Sequence, residues 1–352
     1  MTYQAIQSLP DVPLDIIGDV HGEFSALQSL LHHLGYDSLG YHPNGRIPVF
    51  VGDLCDRGGD SPAVLDWFRQ SHEAGFAKMV LGNHELNLLV GDAKDGSGWF
   101  FDSRRDKDAE RYAPWRRIAE EARLPLKQWL AQMPVILARG DIRIVHAAWL
   151  PEQIGKLARY ADCGLVEQYR RWEGDLQKHL ETADWYPDYL REQQEYAEMQ
   201  EDAGSRLPFL SATSAYDLAK SSHNPLRALT CGTERRADTP FYASGRWRFT
   251  SRNAWWDDYT GETAVVVGHY WRNWYDGFDR ASQNPLFPEQ PDAWLGRRRN
   301  VFCVDYSVGA RWRERLNAAP GKPKASRCRL AALRWPEKTL MFDNGEQAST
   351  YG

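Results

Sequence analysis

Three short stretches carry residues whose types and spacing suit metal and proton chemistry: GDVHGE from Gly18, GDLCDRG from Gly52 and GNHE from Gly82. Each begins at a glycine that ends an apolar run. Asp19 and His21 lie two apart, so a chain leaving a strand sends both side chains to one side. Asp53 follows the second run, and Asn83 and His84 follow the third. Two later imidazoles have the same setting: His146 in DIRIVHAAW, and His269 directly after Gly268 in TAVVVGHYW. Carboxylate, amide and imidazole donors without a thiolate suit Mn, Fe, Zn or Co better than calcium. Six such ligands (Asp19, His21, Asp53, Asn83, His146 and His269) are too many for one open catalytic ion. They fit two ions about 3.5–4 Å apart that share a carboxylate. Asp53 is the expected bridge, because its strand lies between the other two early ligand strands.

Two dications lower the pKa of a bridging water toward neutrality and neutralise phosphoryl oxygens as charge develops. That chemistry gives the rest of the second motif a purpose. Arg57 offers a guanidinium fork that matches two phosphate oxygens. His84 is placed to protonate a leaving oxygen, and Asp56 to orient that imidazole and hold it protonated. Structural turns would explain acids beside glycine, but not an arginine directly after the second acid.

Bringing these groups to one edge requires strands that share a sheet. Leu14–Gly18, Ile47–Gly52 and Ala77–Gly82 are short apolar runs that each end in glycine. Between the first two, Phe24, Leu27, Leu30, Leu31 and Leu34 recur at helical spacing, with Gly35 as a stop. SPAVLDWFRQ is a second helix with Pro62 in its first turn. This βαβ pattern predicts a largely parallel sheet whose crevice lies beyond the strand carboxyl ends. Asp141–Trp149, Thr263–Trp271 and Asn300–Ser307 read as later strands, and a hairpin is expected around Pro336-Glu337. The reading is a single domain, 1–352, with a helical, charged insert at 151–220 that can cap a cleft or serve a partner. It adds a polar active-site loop at 94–114 and a loose tail at 345–352.

The 352 residues are 42% hydrophobic, enough for a sizeable core, and carry a net charge of −5, which argues against a nucleic-acid partner. Five cysteines, an odd number with no CxxC pair, read as reduced thiols. The stretch MTYQAIQSLPDVP has no basic start leading into an apolar run. No window approaches the roughly 18 apolar residues of a membrane span, so a cytoplasmic location without membrane partners is expected. Trp255, Trp256, Trp271 and Trp274 flank the His269 motif. Core packing is the first reading for them, and a rim that stacks a base is the second.

With these motifs in view, the sequence resembles the calcineurin-like metallophosphoesterases. Within them it is most similar to the phosphoprotein phosphatase branch, whose pattern is GDxHG, GDxxDRG, GNHE. The resemblance covers Leu14 to about Leu89 and, by position, the two later histidines. It implies an α/β fold, a four-layer αββα sandwich of two mixed β-sheets flanked by helices, with a binuclear site at the strand carboxyl ends. It implies that Asp19, His21 and Asp53 hold one ion while Asp53, Asn83, His146 and His269 hold the other. It further implies His84 as general acid, Asp56 as its partner, and Arg57 and Asn83 on the substrate phosphate. The second phosphate-binding arginine of the protein phosphatases has no matching motif here. Arg252, in FTSRNAWW, is the candidate, with Arg235, Arg236, Arg246 and Arg248 competing.

The activity this implies is hydrolysis of phosphate monoesters by a metal-bridging hydroxide, of the serine/threonine phosphatase kind. The cofactors would be two divalent metal ions, Mn first, with Fe, Zn, Co or Ni as alternatives. The partner would be a phosphorylated protein or a small phosphorylated substrate. LGNHELNLL also resembles the bacterial diadenosine tetraphosphatases, which read close to LGNHDLHLL, so a dinucleoside polyphosphate hydrolase is the alternative. Against it, those enzymes lack the second aspartate of GDxxDRG, present here as Asp56. A catalytically silent metal-binding scaffold, with the insert as its partner surface, is the alternative from another class.

Overall fold

The structure is a computed structural model and describes residues 3–243, 245–274, 286–287, 290–317 and 327–351. The chain opens with β1 (Ile6–Ser8), β2 (Leu14–Ile17), α1 (Phe24–Leu34), β3 (Ile47–Phe50), α2 (Ser61–Glu73), β4 (Lys78–Met79) and α3 (Asn83–Val90). Next come α4 (Arg105–Tyr112), α5 (Glu120–Leu130), β5 (Ile136–Ala138) and β6 (Ile142–Val145). A helical stretch follows: α6 (Pro151–Lys156), α7 (Leu165–Glu181), α8 (Tyr186–Glu201), α9 (Ser211–Ser222) and α10 (Pro225–Cys231). The rest is β7 (Glu234–Ala243), β8 (Arg246–Arg252), β9 (Ala264–Val267), β10 (Val301–Cys303), α11 (Arg311–Leu316), β11 (Ala331–Trp335), β12 (Thr339–Phe342) and β13 (Gln347–Ser349).

The chain divides into two compact units, one of Gln4–Ala147 with the chain from Trp256 onward, the other centred on Ala148–Trp255. The first unit holds a five-stranded sheet, β1-β5-β6-β9-β10, and a six-stranded sheet, β13-β12-β11-β2-β3-β4. In the six-stranded sheet, β2, β3 and β4 run parallel, and β11, β12 and β13 complete it antiparallel. All four residues of β2 and of β9 are buried, as in strands covered on both faces, and Asp15, the one charge among them, is paired with Arg46 at 2.9 Å. Side chains of both sheets meet in one core: Ile16, Val49 and Leu333 from one, Ile144, Val266 and Phe302 from the other. Helix α1 buries Ala26, Leu27, Leu30, Leu31 and Leu34, and Gly35 ends it in the left-handed region at φ 92°. Helix α2 starts at Asp60, whose side chain accepts the Ala63 N–H at 2.9 Å.

The second unit extends beyond the expected insert. Helices α8 and α9 pack on each other, and α9 packs on the β7–β8 hairpin. Two further expectations are corrected. The polar stretch 94–114 is partly helical, because buried Asp108 gathers it by accepting Gly96 N–H at 3.0 Å, Gly98 N–H at 2.8 Å and Arg104 at 2.6 Å. The tail is not loose: β13 pairs with the edge strand β12, and Tyr351 O accepts the Trp294 N–H at 2.8 Å. Among the described residues, no helix is long and apolar enough to cross a membrane. None of the five cysteines forms a disulfide.

Candidate metal centre

Asp19, Asp53 and Asn83 follow three neighbouring strands of the six-stranded sheet, β2, β3 and β4, with β3 in the middle as expected. His146 and His269 follow β6 and β9, neighbours in the five-stranded sheet. The strands therefore do not share one sheet. The groups meet because the carboxyl ends of both sheets open on the same edge of the sandwich.

The loops reach the edge through unusual backbone. His21 (φ 47°), Asp53 (51°), Asp56 (74°), Arg57 (68°) and His269 (70°) all lie in the left-handed region, each at a cost of about 1–3 kcal/mol. Hydrogen bonds between motifs hold them there. Asp53 O accepts both Val20 N–H (3.0 Å) and His21 N–H (2.9 Å), and Leu54 O accepts Gly22 N–H (2.8 Å). Asp19 Oδ2 accepts the His269 N–H at 3.0 Å. The last residue of GNHE supplies a further clamp that the sequence reading missed. The fully buried Glu85 carboxylate accepts N–H groups from Asp53 (2.9 Å), Leu54 (2.8 Å) and Gly82 (3.0 Å). Gly82 has to be glycine, since a Cβ there would sit 2.1 Å from Asp53 Oδ1.

The imidazole tautomers follow from their neighbours. Nδ1–H of His21 donates to Cys55 O at 3.0 Å, and Nδ1–H of His146 donates to Val51 O at 2.8 Å. A carbonyl can only accept, so in both rings the Nε2 lone pair faces the cluster. His146 Nε2 is 3.3 Å from Asp53 Oδ2 and 3.1 Å from Asn83 Oδ1, and His269 Nδ1 is 2.9 Å from that same Asn83 oxygen. On the other side, His21 Nε2 lies 4.0 Å from Asp19 Oδ2 and 3.9 Å from Asp53 Oδ2. Asp53 thus lies in two groups whose atoms are close enough to hold a metal ion, one with His21 and His84 and one with His146 and His269. Carboxylate, amide and imidazole atoms gathered this closely make a donor set that fits divalent ions.

The titration of these groups points the same way. Burial, with Asp305 and Asp53 nearby, pushes Asp19 well above the carboxylate range. Burial opposes the charge on Asp53 too, yet His146, His84 and His21 hold it well below that range. Burial pulls the His146 imidazole down, but Asp53 and Asp19 push it up to about 10. A proton there does what a cation would do. Burial, then Arg57 and His84, holds His21 well below its ordinary value, which keeps it neutral and able to ligate.

At the rim, His84 Nδ1 meets Asp56 Oδ2 at 2.5 Å, with His84 Nε2 3.9 Å from Asp53 Oδ2. Trp99 Nε1–H donates to the other Asp56 oxygen at 2.5 Å, a support that the polar stretch gave no reason to expect. Arg57 Nη1 donates to His21 Nε2 at 2.9 Å. Asp305, an acid at a strand end like the others, is also buried and accepts N–H groups from Trp271 and Ser307, each at 2.8 Å. Arg252 is not in this unit. It ends β8 opposite Glu234.

The profile of the family described as calcineurin-like phosphoesterase matches residues 12–214. The chain belongs to the calcineurin-like phosphoesterases. Similar members of known name are bis(5'-nucleosyl)-tetraphosphatases. The asymmetrical enzyme PrpE of Bacillus subtilis is 40% identical over 154 residues, 41% of this chain and 61% of that protein. Its namesake in Anoxybacillus flavithermus is 45% identical over 155 residues, 40% and 60% of the two chains. The symmetrical enzyme of a Shewanella species is 35% identical over 177 residues, 45% and 58%. This calcineurin-like phosphoesterase thus spans less than two thirds of the length of each relative. A solved cold-active protein-tyrosine phosphatase from a psychrophilic Shewanella is 15% identical, with a TM-score of 0.49 over 99% of this chain and 83% of that one.

Proposed function

We propose that this chain is a metal-dependent phosphohydrolase acting on small phosphorylated substrates, with nucleotide oligophosphates as its class. The observation that carries the reading is the ring of carboxylate, amide and imidazole groups from Asp19, His21, Asn83, His146 and His269 around Asp53, with the His84–Asp56 pair at its rim. Two divalent ions held there would bring a water toward neutral pKa and offset charge on the phosphoryl oxygens. The protein's own groups do the rest. Arg57 holds non-bridging oxygens through its fork. His84, kept in orientation by Asp56, hands a proton from its ring to the departing oxygen. Trp99 in turn fixes Asp56.

The substrate class rests on the similarity to bis(5'-nucleosyl)-tetraphosphatases. A second reading, phosphoprotein dephosphorylation, is favoured by the complete GDLCDRG motif with Asp56 present. Turnover of diadenosine tetraphosphate and of a phosphoserine peptide should be compared with Mn²⁺ present and p-nitrophenyl phosphate as reference. We expect kcat/KM for the tetraphosphate to exceed that for the peptide by about tenfold or more. Products would be two ADP for symmetrical cleavage, or ATP and AMP for asymmetrical. Preference for the peptide establishes the second reading. No hydrolysis of any of the three with Mn, Co, Ni or Zn leaves the scaffold reading.

A further inference from the structure

Trp271, two residues beyond His269, stands beside the cluster without belonging to it. Its backbone is in the left-handed region at φ 59°, and its N–H is the one received by buried Asp305. The indole is flanked by two guanidinium groups. The central carbon of Arg57 lies 4.9 Å from the ring centroid, and that of Arg313 lies 6.0 Å from the same centroid. A second indole, Trp312, lies 5.2 Å from Arg313 and meets Tyr112 edge-on at 5.1 Å.

The segment that carries Arg313 is fastened to the cluster. Gly309 packs so tightly on the His21 ring that a Cβ would fall 2.2 Å from its Cδ2. Three residues of α11 are arginines, and two are committed. Arg311 pairs with Asp343 and Arg315 with Glu23, each at 2.6 Å. Arg313, between them, is exposed and has no ion pair among the described residues. Arg57 has no carboxylate partner among them either. Two guanidinium groups braced on one indole, neither ion-paired to a carboxylate among the described residues, form a site for two anionic groups in succession.

We propose that Arg313, braced by Trp271 and Trp312, binds a second phosphate of a substrate whose reacting phosphate is held at Arg57, so that the site selects oligophosphates over monoesters. This rests on the phosphohydrolase reading above. The test compares kcat/KM for diadenosine tetraphosphate with that for p-nitrophenyl phosphate. In Arg313→Ala the ratio should fall about tenfold, mainly through KM for the tetraphosphate. Arg313→Lys should recover part of it, since charge without the fork remains. Arg315→Ala, the same charge loss about half a turn along, should move the ratio less than about threefold. An unchanged ratio in Arg313→Ala, or equal falls in Arg313→Ala and Arg315→Ala, overturns the proposal. Calorimetric titration of tripolyphosphate into the full-length protein in EDTA supplies a readout independent of turnover. There Arg313→Ala should weaken binding about tenfold, and an equal Kd overturns the subsite. If wild-type protein hydrolyses nothing, the phosphohydrolase reading fails while the titration still decides the subsite.

Discussion

In the unit that carries the cluster, Asp19, Asp53, Asp56, His84, Glu85 and Asp305 are buried, and each is held by named partners. In the unit centred on Ala148–Trp255, charged side chains meet in exposed pairs such as Arg171–Glu167 and Arg191–Asp188. The backbones differ in the same sense. His21, Asp53, Asp56, Arg57 and His269 all take positive φ in the first unit, while among the described residues of 148–255 only Gly232 and Gly245 do. Burying charge and straining backbone both cost stability. Both occur in the unit that carries the cluster, while among the described residues of 148–255 no charged side chain is fully buried and no residue other than glycine takes positive φ. Substitutions should therefore act very differently in the two regions.

The largest effect is expected for Asp53→Asn, which removes the carboxylate common to both candidate ligand groups. It should lower kcat for p-nitrophenyl phosphate by about 10³-fold or more and reduce bound metal by elemental analysis. Retention of most of the rate at saturating metal would show that Asp53 does not bridge. His84→Asn should keep bound metal and slow turnover by about 10²-fold or more, most with poor leaving groups. Equal slowing of good and poor leaving groups would remove the proton-donor role. Glu85→Gln touches no substrate, yet it replaces one acceptor oxygen by an amide that faces an N–H. It should weaken metal affinity about 10–100-fold, read by chelator competition, and an unchanged affinity would mean the clamp on Asp53 is dispensable. At the small end, Arg171→Ala in the helical unit should leave the melting temperature within about 2 °C. A larger drop would erase the contrast between the units.

Much of this site was readable in the chain because each early motif packs its polar groups directly behind an apolar run. Asp19 with His21, Asp53 with Asp56 and Arg57, and Asn83 with His84 declare themselves by such spacing. Glu85, Trp99, Asp305 and Arg313 did not, because each acts through a contact with a distant segment. Glu85 reaches back to Asp53, Trp99 to Asp56, Asp305 to Trp271, and Arg313 to that same indole. Composition showed many tryptophans but not their duties. Trp256 packs edge-on against Tyr270, and Trp274 packs on Tyr306 and Phe342, while Trp271 alone of this group stands over Arg57. The polar stretch 94–114 and the tail were misjudged for a related reason. Asp108 and β13 find their partners only once the chain has folded.

By itself the sequence determined the donor types, their order and the turns that free them, since strand periodicity and a following glycine are local properties. Only the tertiary structure decided that two sheets, not one, bring the candidate ligands together, because the carboxyl ends of β3 and β6 meet through core packing rather than through any pattern along the chain. It also decided which lone pairs face inward. A ring nitrogen is free for an ion only when a carbonyl from elsewhere, Cys55 for His21 and Val51 for His146, has claimed the proton on the other.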